Sequence, residues 1–346
     1  MSELLIVTVF LSVIVSLLLM TIHMILPWLF GPIITAVTIT KLTRREMRWP
    51  KPLADAGLFI LGAQIGTTFT LQVLADIRND FFHIILWNIM IIGAALLLSL
   101  IYRQITHCSY ETAFLSAVPG ALSQMIVMAE ENKRADFLAV TLSQTSRLLF
   151  VVMMVPFIAS FSKDAVTGNM MDSESIFLVL SFDQLLFIIS LTGLLFIFLR
   201  RIHFPVPQLL APIIIIAGWN IATGNSFSIP IYLIAAAQLL FGVRIGLQLV
   251  DLSSSLTFRL FIGIAVQNIL LILVTFIAAL FMTSHTFNDV FLSLAPGGMA
   301  QIVIVALETG GNIAMISSYH IFRIFLILLV VAPLMQVVLK RFDKII

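Results

Sequence analysis

The chain has 346 residues, of which 60% are hydrophobic and 10% charged, with a formal net charge of +2. A soluble domain carries about a quarter charged residues, so a water-exposed globular fold is excluded, and an enzyme with a soluble catalytic domain with it. The 19 Lys and Arg residues form no basic stripe for nucleic acid, one cysteine cannot make an internal disulfide, and the six histidines show no metal-pair spacing, so no nucleic acid, metal or cofactor is expected.

In chain order, residues 3–23 read as a first membrane helix rather than a signal peptide. They follow Met-Ser-Glu instead of a basic n-region, and bulky Ile22-His23-Met24-Ile25 stands where small cleavage-site residues would be. Apolar runs at 26–40, 53–74, 81–101, 137–160, 177–199, 206–222, 229–249, 258–282 and 313–339 can each cross hydrocarbon as a helix. Two further apolar segments, 112–130 and 289–308, are interrupted by Pro-Gly.

The sequence is duplicated. LPWLFGPI at 26–33 matches VPQLLAPI at 206–213, and LGAQIG at 61–66 matches FGVRIG at 241–246, both at an offset of 180 residues. LSAVPGALSQM at 115–125 aligns with LSLAPGGMAQI at 292–302, and Arg147 with Pro156 answers Arg323 with Pro333. Apolar helices share Leu and Ile by default; shared Pro, Gly, Gln and Arg in one order mark an internal repeat. The expected organisation is repeat 1 over 1–160, a linker over 161–176 and repeat 2 over 177–346.

Loop charges set the expected orientation. With five crossings plus one broken or re-entrant element per repeat, the halves are inverted and 14 basic residues face the cytoplasm against 2 outside, Arg78 and Lys163. With six crossings each, the count is 10 against 6, so the inverted arrangement, with both termini cytoplasmic, is preferred. The fold class expected is an all-α polytopic membrane protein of two such inverted repeats, embedded in the lipid bilayer.

Three sets of residues could carry chemistry. The breaks at Pro119-Gly120 and Pro296-Gly297-Gly298 would free backbone polar groups at membrane depth, and Ser123, Gln124 and Gln301 follow them as hydrogen-bond donors. A plain proline kink is the packing alternative. Arg147 and Arg323 lie in apolar helices and need an interior partner; Gln144 and His320 precede them by three residues, on the same helix face. A structural hydrogen-bonded role competes with anion binding for the arginines, and with proton coupling for His320. Arg244 sits in a Gly242-x-x-x-Gly246 frame whose repeat mate is Gln64, and Glu308 follows Gln301 by seven residues as Glu131 follows Gln124. Close helix packing explains the glycines; Arg244 is a candidate anion ligand and Glu308 a candidate coupling group.

The twice-occurring Pro-Gly-x-x-x-Gln element, followed about twenty residues later by an Arg-bearing helix with a later Pro, resembles the bacterial membrane AbrB family. The likeness covers both halves. It implies a multi-pass protein of the bacterial inner (cytoplasmic) membrane, unlike the small DNA-binding AbrB regulators in sequence and fold. Members carry labels such as ammonia monooxygenase or regulator of gene expression, and a distant relation to inverted-repeat transporters is implied. No Asp-Asp or Asn-Asp pair of the sodium/proton antiporters stands within a span, and no histidine cluster suits copper. The function expected is a secondary transporter of a small anionic organic solute; the alternatives are a membrane protein acting indirectly on gene expression and, third, a membrane oxygenase. The 26–40 and 206–222 helices offer a face for a homodimer.

Overall fold

The computed structural model describes residues 2–43, 47, 49–120, 122–160, 174–225, 227–282 and 285–336. Arg44, Arg45, Arg48, Lys163, Lys340, Arg341, Lys344, the linker from 161 to 173 and the side chain of Ser123 lie outside the described residues. The rest is helical almost throughout: α1 Ser2–Thr21, α2 Pro27–Thr43, α3 Lys51–Thr67, α4 Leu71–Thr106, α5 Tyr110–Ala117, α6 Leu122–Glu131, α7 Phe137–Ser160, α8 Ile176–Val179, α9 Phe182–Arg201, α10 Pro207–Thr223, α11 Ile231–Ser255, α12 Phe258–Phe281, α13 Phe287–Leu294, α14 Met299–Thr309 and α15 Ile313–Leu326.

Among the described residues, seven helices are long and apolar enough to cross a membrane: α1, α4, α7, α9, α11, α12, and α15 with its continuation to Gln336. The polytopic helical architecture read from the sequence is the observed one. α2, α3 and α10 have 17 residues each, about 26 Å of rise, the short end of what a span needs.

Two boundaries differ from expectation. The apolar run at 53–74 is divided: α3 stops at Thr67, and α4 starts at Leu71 and continues for 36 residues through Arg78 and Asp80. From Phe69 to Ile92 there is neither glycine nor proline, and Gln72 donates to Asp76 one turn on at 3.1 Å, so polar residues here stay helical. After Arg323 the last helix widens into a π turn over Ile327–Val331. Pro333 lacks an N–H and would press on the carbonyl four residues back, and the wider turn relieves that clash.

The chain forms two compact units that do not coincide with the sequence repeats. The first comprises Met1–Asp76, Val166–Asp251 and Val303–Ala314; the second Ile77–Ala165, Leu252–Ile302 and Met315–Ile346. Each takes a part of both halves.

In the first unit the repeats exchange helices. Gly62 of α3 lies against the carbonyl of Leu209 and the ring of Pro212 in α10, and a Cβ on Gly66 would stand 2.9 Å from Ile216. In the mirror contact, a Cβ on Gly242 of α11 would stand 2.7 Å from the Leu29 carbonyl oxygen of α2, and one on Gly246 would stand 2.8 Å from that of Ile33. The glycines of the repeated frame let backbones touch, which is the packing reading of that motif. The turns are duplicated too, with His23 and Leu26 before α2 and His203 and Val206 before α10 all at left-handed φ between 48° and 56°.

The second unit is built on α4, α7 and α12. A Cβ on Gly263 of α12 would meet Tyr102 and Thr106 near the end of α4. At the other end, His285 Nε2 lies 2.8 Å from Asp80 Oδ2. α12 therefore runs beside α4 in the opposite direction. Ile92, Leu115, Val118, Met125, Val140 and Ile327 are buried together in its core.

Candidate functional site

α5 begins at Ser109, whose hydroxyl accepts from the Thr112 N–H at 3.1 Å, a helix N-cap. The same hydroxyl donates to the Arg134 carbonyl at 2.8 Å, and the Asp136 N–H donates to Thr112 Oγ1 at 2.8 Å. Were α5 and α6 one kinked crossing helix, residues 109 and 134 would be about 37 Å apart. They touch, so the chain between them turns back on itself as a helical hairpin. Its turn is written in the sequence: Val118 is extended, with ψ 119°, as a residue before proline must be, and Gly120 holds φ 101°, open to glycine alone at little cost.

α7 then runs alongside α5 in the same direction. Gln144 Nε2 donates to the carbonyls of Leu115 at 2.7 Å and Val118 at 3.1 Å. Arg147 Nη1 donates to the Val118 carbonyl at 2.8 Å and to Gln144 Oε1 at 3.2 Å, and its Nη2 to the Ser116 carbonyl. These are carbonyls that a helix end leaves without intrahelical donors, carrying the negative end of its dipole. From Asp136 to Arg147 is about 16 Å of helix rise, against about 36 Å for all of α7, which sets the hairpin tip near the middle of α7.

The second half repeats the guanidinium-to-carbonyl part of this arrangement, with a histidine in place of the glutamine. His320 Nε2 lies 3.0 Å from the Leu292 carbonyl. Arg323 Nη1 donates to the Ala295 carbonyl at 2.7 Å and Nη2 to that of Ser293 at 2.9 Å, at the end of α13. Each guanidinium also reaches into the opposite repeat: Arg147 Nε to Asn268 Oδ1 at 3.4 Å, and Arg323 Nε to Asn88 Oδ1 at 2.9 Å. The tips cross as well, since a Cβ on Gly120 would stand 3.2 Å from Arg323 Cδ and 3.5 Å from Ile327, and one on Gly297 would strike Val151, the repeat mate of Ile327. α5 follows the Thr106 end of α4, whereas α13 follows His285 at its Asp80 end, about 39 Å away along the helix.

Arg147 and Arg323 are 2% and 1% exposed, and each bonds carbonyls and amides with no carboxylate among the described residues. Two helix C-termini, each worth about half a negative charge, offset two full positive ones only in part. The surroundings of the two tips are thus net positive, and the first amides of α6 and α14 add the positive ends of their dipoles.

The structure brings Pro119, Gly120, Gln124, Gln144, Arg147, Pro296, Gly297, Gly298, Gln301, His320 and Arg323 into the second unit, Gln301 buried at 6% exposure. Arg244 and Glu308 belong to the first unit. Arg244 is exposed on α11, and Glu308 accepts from Gln238 Nε2 at 3.3 Å. Asn88 and Asn268 were not anticipated, yet they stand 180 residues apart, the offset of the first two repeat matches. That coincidence was the available signal.

Against known families, residues 28–339 match the family described as AbrB, transition state regulatory protein. An uncharacterized protein of Bacillus subtilis (strain 168), YhjN, is 24% identical over 298 residues, covering 80% of this chain and 76% of its own. No solved structure matches.

Proposed function

We propose that this chain, which belongs to the AbrB family, is a secondary transporter for a small organic anion. The observation that carries the reading is the twice-built hairpin whose buried arginine has no carboxylate partner among the described residues. Irregular backbone at membrane depth is tolerated where it lines a cavity or is buried in protein, and equivalent breaks in two repeats are the usual place for a transported solute. On this reading Arg147 and Arg323 hold the tips and supply the field, while Gln124 and Gln301, at the starts of α6 and α14, contact the solute beside Pro119-Gly120 and Pro296-Gly297-Gly298. Gln144 and His320 brace the turns. Arg244 is left as a secondary anion contact on another element.

The inverted relation of the repeats is supported by α5 and α13 starting from opposite ends of α4, and by the bias of loop charges. The bilayer of a bacterial inner membrane, with both termini cytoplasmic, is the setting that bias favours. Effects on gene expression would then follow from altered solute levels.

The test is a thermal-shift screen of the purified protein against mono-, di- and tricarboxylates and phosphorylated solutes, followed by uptake of the hits into proteoliposomes. Uptake above that of empty vesicles is expected, reduced at least tenfold by Gln124→Ala or Gln301→Ala, about the worth of one lost hydrogen bond to a charged group. No uptake of any anion, or uptake unchanged in Arg323→Ala, would overturn the reading.

A further inference from the structure

Glu308 closes α14 from the wrong end for a carboxylate. It stands in the last turn, next to Thr309, where the helix dipole is negative and an acid is disfavoured. No ionised side chain among the described residues pairs with it; its hydrogen-bond partner is the amide of Gln238 on α11. Gln238 is 2% exposed, and with its Nε2 given to Glu308 its own Oε1 has no partner. A buried amide oxygen left unsatisfied costs about 1–3 kcal/mol, so its retention asks for a ligand.

The duplication supplies an internal control. At the repeat offset of 180 residues, Gln238 corresponds to Leu58, which is buried at 5% exposure. An apolar side chain satisfies that place in one half, and the other half carries a glutamine opposite an acid. Three groups of negative potential therefore belong to one neighbourhood: the Glu308 carboxylate, the unpartnered oxygen of the amide bonded to it, and the carbonyl end of α14. Glu308 is exposed, so the place is not closed over by the described residues.

We infer that Glu308, Gln238 and the C-terminal end of α14 form a binding site for a small monovalent cation, an alkali ion or a proton. The site needs no assumption about the transported solute. It would place the coupling ion two helical turns from Gln301, on the same face of α14, since residues seven apart share a face. A hard cation with oxygen ligands suits the donors present.

The experiment uses the full chain in detergent without any organic solute, so its outcome is separate from that of the anion screen. Thermal denaturation is followed while lithium, sodium or potassium chloride replaces choline chloride at constant ionic strength, at several values of pH from about 5.5 to 8.5, a range that brackets neutral pH. For an alkali ion, a saturable rise of roughly 3–5 °C at a hundredfold excess over the dissociation constant is expected. That rise should disappear in Glu308→Gln and in Gln238→Leu, the second of which copies the leucine of the other repeat. For a proton, no alkali ion shifts the wild type, its midpoint varies with pH, and Glu308→Gln removes that variation. If Gln238→Leu does not fold, Glu308→Gln alone decides. Equal responses of wild type and Glu308→Gln to every ion and to pH would overturn the proposal.

Discussion

Arg147 has four of its hydrogen bonds on two carbonyls, a glutamine and an asparagine of the other repeat. Only a planar fork with several donors can do this, so lysine at either arginine would keep the charge and lose the brace. Asn88 separates the two contributions. Its Oδ1 accepts from Arg323, while its Nδ2 is bonded to Ile84. Asn88→Leu strands the Arg323 Nε and should cost about 1–3 kcal/mol. Asn88→Asp keeps the acceptor for Arg323, but its second oxygen then faces the carbonyls of Ile84 and Tyr319 to which Nδ2 donated, so it should denature below wild type while sparing the arginine its partner. It should still weaken every anion found by the screen, because its carboxylate cancels the arginine charge; thermal melts with and without anion check both halves of this. Gly120→Ala forces a side chain into φ 101° against the Arg323 stem and should destabilise by about 1–3 kcal/mol. Cys108, between α4 and α5, has its thiol pushed up by burial. Less thiolate at neutral pH means slow alkylation that quickens as pH rises, and a maleimide time course at about pH 7 and pH 9 measures it. At this scale both arginines were legible in the sequence, because a charge in an apolar run is conspicuous. Asn88 and Asn268 were not, because a polar amide in a helix is unremarkable until its partner is known.

Among the elements, the hairpin is the least legible feature. Pro119-Gly120 announced a break, but whether the chain turned back depended on Ser109 meeting Arg134, 25 residues apart, which no local pattern encodes. The return has a topological consequence. Cysteines placed at Asn132 and at position 107, in a background lacking Cys108, should be labelled from one side of the membrane by an impermeant reagent. A cysteine at Thr286 should be labelled from the other. Labelling of 132 and 286 from the same side would refute entry from opposite ends. Helix contacts are testable the same way. Gly62→Leu should abolish the close approach of α3 to α10 and lower the yield of folded protein, whereas Gly93→Ala, with nothing within 4 Å of its Cβ position, should leave it unchanged. α4 shows why boundaries were misread: hydropathy marks where polar residues are, and helices continue through them wherever no glycine or proline intervenes.

For the whole molecule, the duplication was fully visible as sequence, but its spatial meaning was not. Each compact unit contains segments of both halves. α3 of the first half needs α10 of the second, and Arg323 of the second needs Asn88 of the first. Residues 1–160 and 174–346 expressed separately should each fail to accumulate, and co-expression should restore a stable complex, checked by co-purification through a tag on one half. Independent folding of either half would contradict the interleaving.

The paired asparagine contacts tie the two halves of the chain to each other. Arg147 to Asn268 and Arg323 to Asn88 are one contact made twice, each time between halves and never within one. The two contacts are reciprocal: the arginine of each half meets the asparagine of the other. Each half thus supplies one acceptor to the other's buried guanidinium, so removing either asparagine is felt by an arginine 121 or 235 residues away in the chain, not by its own neighbours.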